Sequence, residues 1–170
     1  MFSNPTDNLL QFGITEGMTV ADIGAGSGHY ALKAAELTTG KVYAIDLMQN
    51  LLDKIKSEAA HRRLSNIEVI WANAEEIGGT RLRDASIDRV ISSNILFQLE
   101  KIDTYLLEIK RILKKGGKLL IIDWSEASSL NLSEFVPKDT ILAHLKNAGF
   151  VLEQSFNAGD HHYGIIAQRI

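Results

Sequence analysis

Cysteine is absent from this chain. Disulfides, thiolate metal ligands and cysteine nucleophiles are therefore excluded. No apolar run approaches the roughly 18 residues that a membrane span requires. The N-terminus shows no apolar signal-peptide core either, so a cytoplasmic location is the expectation. Basic charge is not in excess: the net charge is −3 and the pI is near 5.9, which argues against a strongly basic nucleic-acid surface. Charge runs such as Arg81–Asp84 and His61-Arg62-Arg63 read as solvated faces, with RNA binding as the minor alternative. Repeats, low-complexity tracts and linkers are missing too.

What remains is an ordinary globular composition: 170 residues, 45% apolar and 23% charged, which fits one domain over residues 1–170. The chain is organised around V-A-D-I-G-A-G-S-G-H-Y-A at Val20–Ala31. Val20–Ile23 read as the end of a buried strand, Gly24, Gly26 and Gly28 as a tight turn, and His29 onward as a helix. Strand, glycine turn and helix together bring backbone N–H groups and a helix N-terminus against a ligand. The spacing is G-x-G-x-G, and His29 stands where a dinucleotide fingerprint wants its last glycine. Asp22, two places before the first glycine, suits a neighbouring ammonium or sulfonium and not a pyrophosphate.

Further elements alternate. A short helix over Thr6–Phe12 precedes a strand at Met18–Ile23. Strands at Lys41–Ile45, Ile67–Trp71, Ile87–Ser92 and Lys118–Ile122 follow. Helices run to about Thr38, over Gln49–Ala60, and over Ile102–Leu113, the last closed by Lys114-Lys115 and Gly116-Gly117. Asp139 or Thr140 caps a helix ending at Gly149, and strands at Val151–Phe156 and Tyr163–Gln168 close the chain. The connection between these last strands is too short for a crossover, so they form an antiparallel hairpin. The expectation is a mostly parallel α/β sandwich with its site beyond the carboxyl ends of the strands. That rule selects Asp22–Gly28, Asp46–Met48, Asn73-Ala74, Ser93-Asn94 and Asp123-Trp124. Asp46 is 18 residues past Gly28, where an acidic side chain reaches a ribose; capping the next helix is the alternative role. Leu47 and Met48 can offer an apolar face to an adenine.

The D-x-G-x-G-x-G of Asp22–Gly28 resembles the first motif of class I S-adenosylmethionine-dependent methyltransferases. Asp46 resembles the family's acidic residue after strand two, and A-N-A-E at Ala72–Glu75 its G-D-A-E segment. I-D-R-V-I-S-S-N at Ile87–Asn94 and L-K-K-G-G-K-L-L-I-I-D at Leu113–Asp123 resemble its strand-four and strand-five motifs. Within the class the chain is most similar to the ubiquinone/menaquinone type. The resemblance implies a Rossmann-like, doubly wound seven-stranded sheet whose last strand is antiparallel. It also implies S-adenosylmethionine over the glycine turn, held by Asp22, Gly24, Ala25, Gly26, Gly28, Asp46, Leu47, Met48, Asn73, Ala74 and Asn94. Asn73 replaces the usual aspartate, and its amide still offers an acceptor and a donor to an adenine. Lys115 replaces a proline. Little sequence precedes the first strand, whereas many relatives carry extra helices there, so a site that is open, completed by a partner chain or matched to a large substrate is the expectation.

Methyl transfer from a sulfonium needs mainly positioning and water exclusion; a base serves only acceptors that begin protonated. Asp123, Asn94 and His161 are the leading acceptor-side candidates, with Glu126 and His162 behind them. His161 and His162 precede a strand, so alternation points one inward and one outward. The loops Ser125–Lys138 and Asn157–Tyr163 are the expected acceptor contacts. No metal is expected. The reading is a methyltransferase acting on a small organic acceptor. Its alternatives are a non-catalytic S-adenosylmethionine-binding module or subunit that needs a partner, an RNA methyltransferase, and an NAD-dependent oxidoreductase. An oligomer is compatible with all of them.

Overall fold

The computed structural model describes residues 3–125 and 135–170. α1 (Pro5–Phe12) leads into β1 (Val20–Ile23), α2 (His29–Leu37), β2 (Val42–Asp46), α3 (Gln49–His61) and β3 (Ile67–Trp71). β4 (Ile87–Ser93), a 3-10 turn at Leu96–Gln98, α4 (Ile102–Ile112), β5 (Leu113–Trp124), α5 (Lys138–Asn147), β6 (Phe150–Asn157) and β7 (His162–Arg169) complete it. The strands form one seven-stranded sheet in the order β3-β2-β1-β4-β5-β7-β6. β7 is antiparallel to β5 and β6, and the other pairs are parallel. This is the Rossmann-like, doubly wound arrangement with a C-terminal hairpin. Strand order reverses between β1 and β4, so a ligand crevice opens there.

Alternating side chains on the sheet feed two cores. On one face Leu9, Leu32, Leu52 and Ile55 of α1–α3 pack with Val20, Ile91, Leu120 and Ile122. On the other, Leu106, Ile109, Ile112, Ile141 and Leu145 of α4 and α5 pack with Ala21, Val90, Leu119 and Ile121. All four residues of β1 are buried, as a central parallel strand requires.

Three helix boundaries depart from the sequence expectation in how they are capped or closed. Asn4, not Thr6 or Asp7, caps α1: its Oδ1 accepts from Thr6 N–H at 3.0 Å, and Pro5 takes the first helical position. Pro137, not Asp139 or Thr140, precedes α5. The largest departure is at α4, which Gly116-Gly117 do not terminate. The chain turns extended at Leu113, and the Lys114–Gly117 run belongs to β5. Arg169 of β7 does the capping: its guanidinium donates to Lys110 O at 2.7 Å and to Leu113 O. A cap supplied from 59 positions further along leaves no local signal.

A buried carboxylate pins the stretch between β3 and β4. Glu108 of α4 is fully buried and accepts from Gly78 N–H at 2.8 Å, Thr80 N–H at 3.1 Å and Thr80 Oγ1 at 2.6 Å. Arg111 completes the cluster, donating to Glu108 at 2.8 Å and also pairing with Asp84. These bonds outweigh the burial cost and hold the Glu108 carboxyl down to about 2. Glu108→Ala should lower the unfolding free energy by about 3 kcal/mol at pH 7, because Arg111 and two amides lose their partner. Glu108 gives up its proton more readily when folded, so its contribution is present above pH 4.5 and disappears as pH falls towards 2. Urea titrations should show a smaller acid-dependent loss for the variant over that window; parallel curves would count against the cluster.

Candidate functional site

The glycine turn is held onto the sheet by backbone bonds. Gly24 and Ala25 N–H both donate to Ile45 O, at 2.8 and 3.0 Å, and Gly28 N–H closes onto Ala25 O at 2.8 Å. Gly24 has φ +72° and a side chain there would overlap Ile95 Cδ1, so only glycine lets β1 end this close to the loop after β4. Gly28 has φ +81°, and a methyl group on it would lie 2.6 Å from Ile55 Cγ1. Its requirement comes from α3 packing.

Asp46 ties two loops together. Its Oδ2 accepts from Gly26 N–H and its Oδ1 from Met48 N–H, each at 2.8 Å. Both oxygens keep a further lone pair for a ligand hydroxyl. Met48 occupies the N-cap position of α3 and makes no side-chain cap bond. Next door, Trp71 Nε1 donates to Leu47 O at 2.8 Å, leaving the Leu47 and Met48 side chains 60% and 53% exposed.

These loops surround a cavity of about 770 Å³. Its wall includes Asp22, Gly24, Ala25, Gly26, Asp46, Leu47, Met48, Asn73, Ala74 and Asn94, ten of the sequence-predicted positions. Ser3 and Pro5 also line it. The α1 region is latched there by Tyr30, whose hydroxyl meets Ser3 Oγ at 2.9 Å and Asn8 Nδ2 at 2.8 Å. The front of the site is therefore covered in part by Ser3 and Pro5, and is not wholly open.

Electrostatically the cavity is unbalanced. Asp22 is 1% exposed, and its Oδ2 has no hydrogen-bond partner among the described residues. Burial, reinforced by the charge of Asp46 and opposed by a backbone hydrogen bond from Ala31, pushes its carboxyl up to about 7. Asn94 Oδ1 is a second buried oxygen without a partner, on a residue at φ +54°. Both residues line the one cavity, and neither oxygen has a donor among the described residues. Asn73 is more committed: its Oδ1 takes Glu75 N–H at 3.0 Å and its Nδ2 points to Glu76 Oε1 at 3.4 Å.

Three predicted positions are not in the wall. Gly28 packs against α3 as described. Asp123 is fully buried, and its oxygens accept from Leu96 N–H at 3.0 Å and Trp124 N–H at 2.8 Å. It clamps the loop after β4 onto the end of β5, with burial raising its carboxyl to about 6. His161 also stays outside the wall, which Trp124 and His162 complete. The physical reason is alternation: β5 and β7 each extend beyond the sequence reading at this end, and Trp124 registers opposite His162. Asp123 falls on the α4–α5 face with Tyr163, while Trp124 and His162 turn to the cavity. Glu126 lies outside the described residues, as does most of the loop after Ser125. Tyr105 is a wall residue the sequence reading missed; its hydroxyl donates to Ser92 Oγ at 2.7 Å. On sequence it is indistinguishable from a core position of α4.

Comparison with known proteins agrees with this geometry. The methyltransferase domain family matches residues 14–164. The chain belongs to that family. This methyltransferase domain is 28% identical over 122 residues to the demethylmenaquinone methyltransferase of Oceanobacillus iheyensis, covering 71% of this chain and 50% of that protein. It is 30% identical over 120 residues to the ubiquinone/menaquinone biosynthesis C-methyltransferase UbiE of Escherichia coli, covering 67% and 45%. The chain spans about half the length of the curated relatives it matches. Among solved structures, the S-adenosylmethionine-dependent methyltransferase of Aquifex aeolicus superposes with a TM-score of 0.89 at 27% identity, over 99% of this chain and 90% of that one. The methyltransferase domain is of class I, and its cofactor is S-adenosylmethionine. The chemistry of the residues present is compatible with that cofactor: two buried oxygens lack a donor among the described residues, Asp46 retains lone pairs, and apolar side chains rim the cavity.

An ionised Asp22 costs the folded domain stability. The folded state holds this proton more tightly than the unfolded chain, whose value is 3.8, so stability declines as pH rises from there to about 7. Asp22→Asn removes that slope. At pH 8 the variant should be more stable than the parent by about 1–3 kcal/mol, less than the full shift because a buried amide lacks partners too. The gap should close towards pH 4; equal urea midpoints at both pH values would show that the carboxylate is not stranded.

Proposed function

We propose that this domain moves a methyl group from S-adenosylmethionine to a small organic acceptor of the kind quinone methylation uses. The observation that carries the reading is the pair of buried oxygens without a partner among the described residues, Asp22 Oδ2 and Asn94 Oδ1, on two residues that line the same cavity as Asp46. An α-ammonium with three donors satisfies both oxygens, which a pyrophosphate would only repel. That chemistry favours the sulfonium amino acid over NAD. The relatives named above supply the acceptor class.

When bound, the sulfonium offers an electrophilic methyl and a neutral leaving group. The chain's own residues position it. Asp22 and Asn94 would hold the amino end, the Gly24–Gly26 backbone would face the methionyl part, and Asp46 would accept from the ribose hydroxyls. Leu47 and Met48 would cover one adenine face, and Ala74 with the second lone pair of Asn73 Oδ1 would serve its edge. Ile95 and Leu99 face the cavity as apolar surface and exclude water from the transfer.

Calorimetric titration tests this directly. S-adenosylmethionine and S-adenosylhomocysteine should bind with Kd on the order of micromolar, and NAD should not compete. Asp46→Ala should weaken both by tenfold or more. Between pH 6 and 8 affinity should rise with pH, because the ammonium needs an ionised Asp22. The same binding should release a proton, seen as a buffer-dependent enthalpy, and Asp22→Asn should abolish that dependence. Preferential binding of NAD would overturn the reading. Cofactor binding without turnover on any aromatic or aliphatic acceptor would leave a binding module.

A further inference from the structure

His162 is 3% exposed, lines the cavity, and neither ring nitrogen has a hydrogen-bond partner among the described residues. An imidazole is rarely buried with both nitrogens idle, because each then forfeits the bonds it made in water. Its neighbour in the antiparallel register is Trp124, whose ring sits 4.2 Å away centroid to centroid at an angle of 34°. Trp124 also faces the cavity. The pair forms one continuous wall: a large aromatic surface with a polar ring set into it.

We propose that Trp124 and His162 are the acceptor subsite, which takes a flat aromatic ring against Trp124 and its hydroxyl hydrogen on an imidazole nitrogen of His162. This rests on the methyltransferase reading and specifies which residues select the acceptor. Burial, with His161 adding to it, holds the His162 imidazolium below its ordinary range, so the ring is neutral at pH 7. A neutral imidazole carries one N–H and one lone pair, so it offers an acceptor to the hydroxyl. Indole faces pair with aromatic rings in offset or tilted geometry, which fixes the ring plane. Ring plane and hydroxyl contact together determine which atom of the acceptor meets the methyl group, and that is specificity by position. Gln98 and Leu99, on the 3-10 turn and just after it, line the same cavity and add apolar surface with one amide.

The test uses 1-naphthol and 1-methoxynaphthalene as probes, titrated by fluorescence into the protein with and without saturating S-adenosylhomocysteine. The two probes share a ring system, and only the first donates a hydrogen bond. Wild-type protein should bind 1-naphthol at least tenfold more tightly than 1-methoxynaphthalene. His162→Phe should abolish that preference while leaving 1-methoxynaphthalene binding within about twofold, and His162→Gln, which keeps an acceptor, should restore part of it. Trp124→Leu should weaken both probes by fivefold or more. Affinity for S-adenosylhomocysteine should stay within about twofold in all variants. Equal binding of the two probes by wild-type protein overturns the proposal without requiring any variant to fold. So does an unchanged preference in His162→Phe, or failure of wild-type protein to bind 1-naphthol. Loss of S-adenosylhomocysteine binding by wild-type protein would instead refute the cofactor reading, and the titrations without it would still decide the subsite.

Discussion

Asp22 is a carboxylate buried at the end of a strand with no exposed residue, and one of its oxygens meets nothing among the described residues. Much of the site depends on that stranded charge. Glycine at position 24 keeps the adjoining loop thin enough for the neighbouring strand's loop to close over it. Asn94 adopts a left-handed conformation and turns a second oxygen to the same cavity. A site optimised for stability would replace Asp22 by an apolar residue or give it a partner. A charge that the folded chain itself opposes is a feature kept for something that arrives later and brings the opposite sign.

The contrast with Asp46 sharpens the point. The two carboxylates end adjacent parallel strands, yet one has an oxygen without a partner and the other already accepts two backbone amides at 2.8 Å. Environment assigns them different work. A buried, unmatched oxygen seeks a cation. A carboxylate already bonded through both oxygens keeps lone pairs for neutral hydroxyls and meanwhile orders the loops that flank it. Because Asp46 holds both the glycine turn and the start of α3, this part of the cavity wall is formed without a ligand.

The fold was legible because its signals are periodic and local. Short clusters of apolar residues marked β1, β2 and β4, and strand-turn-helix spacing placed Asp22, Gly24, Gly26 and Asp46 in one crevice. What escaped is what one strand does for another. Arg169 caps a helix 59 positions earlier, so the glycines after α4 looked like its terminator when they belong to β5. Asp123 was favoured over Trp124 because a polar residue at a strand's end attracts attention, and for His161 and His162 alternation said only that one points inward. β5 and β7 run on to Trp124 and His162, whose position in the alternation puts them in the cavity wall, and strand ends are where period-two reasoning is weakest. Tyr105 was illegible for a different reason: a helical core position carries no mark of the cavity beyond it.

The antiparallel last strand has a consequence for the site that parallel strands could not supply. In a parallel sheet only carboxyl ends reach the ligand crevice, so each strand contributes the residues just past its C-terminal end. β7 enters reversed, and its first residue, His162, pairs with the last residue of β5. The loop that precedes β7 is thereby delivered to the crevice from a strand that leaves it. The β5 end is locked at the same time: Ser125 N–H donates to His161 O at 2.9 Å, and Asp123 holds the loop after β4. One reversed strand thus adds a rigid wall to a cavity whose other walls are mostly loops, and rigidity at that edge is what a methyl acceptor needs if one atom is to be presented in line with the sulfonium.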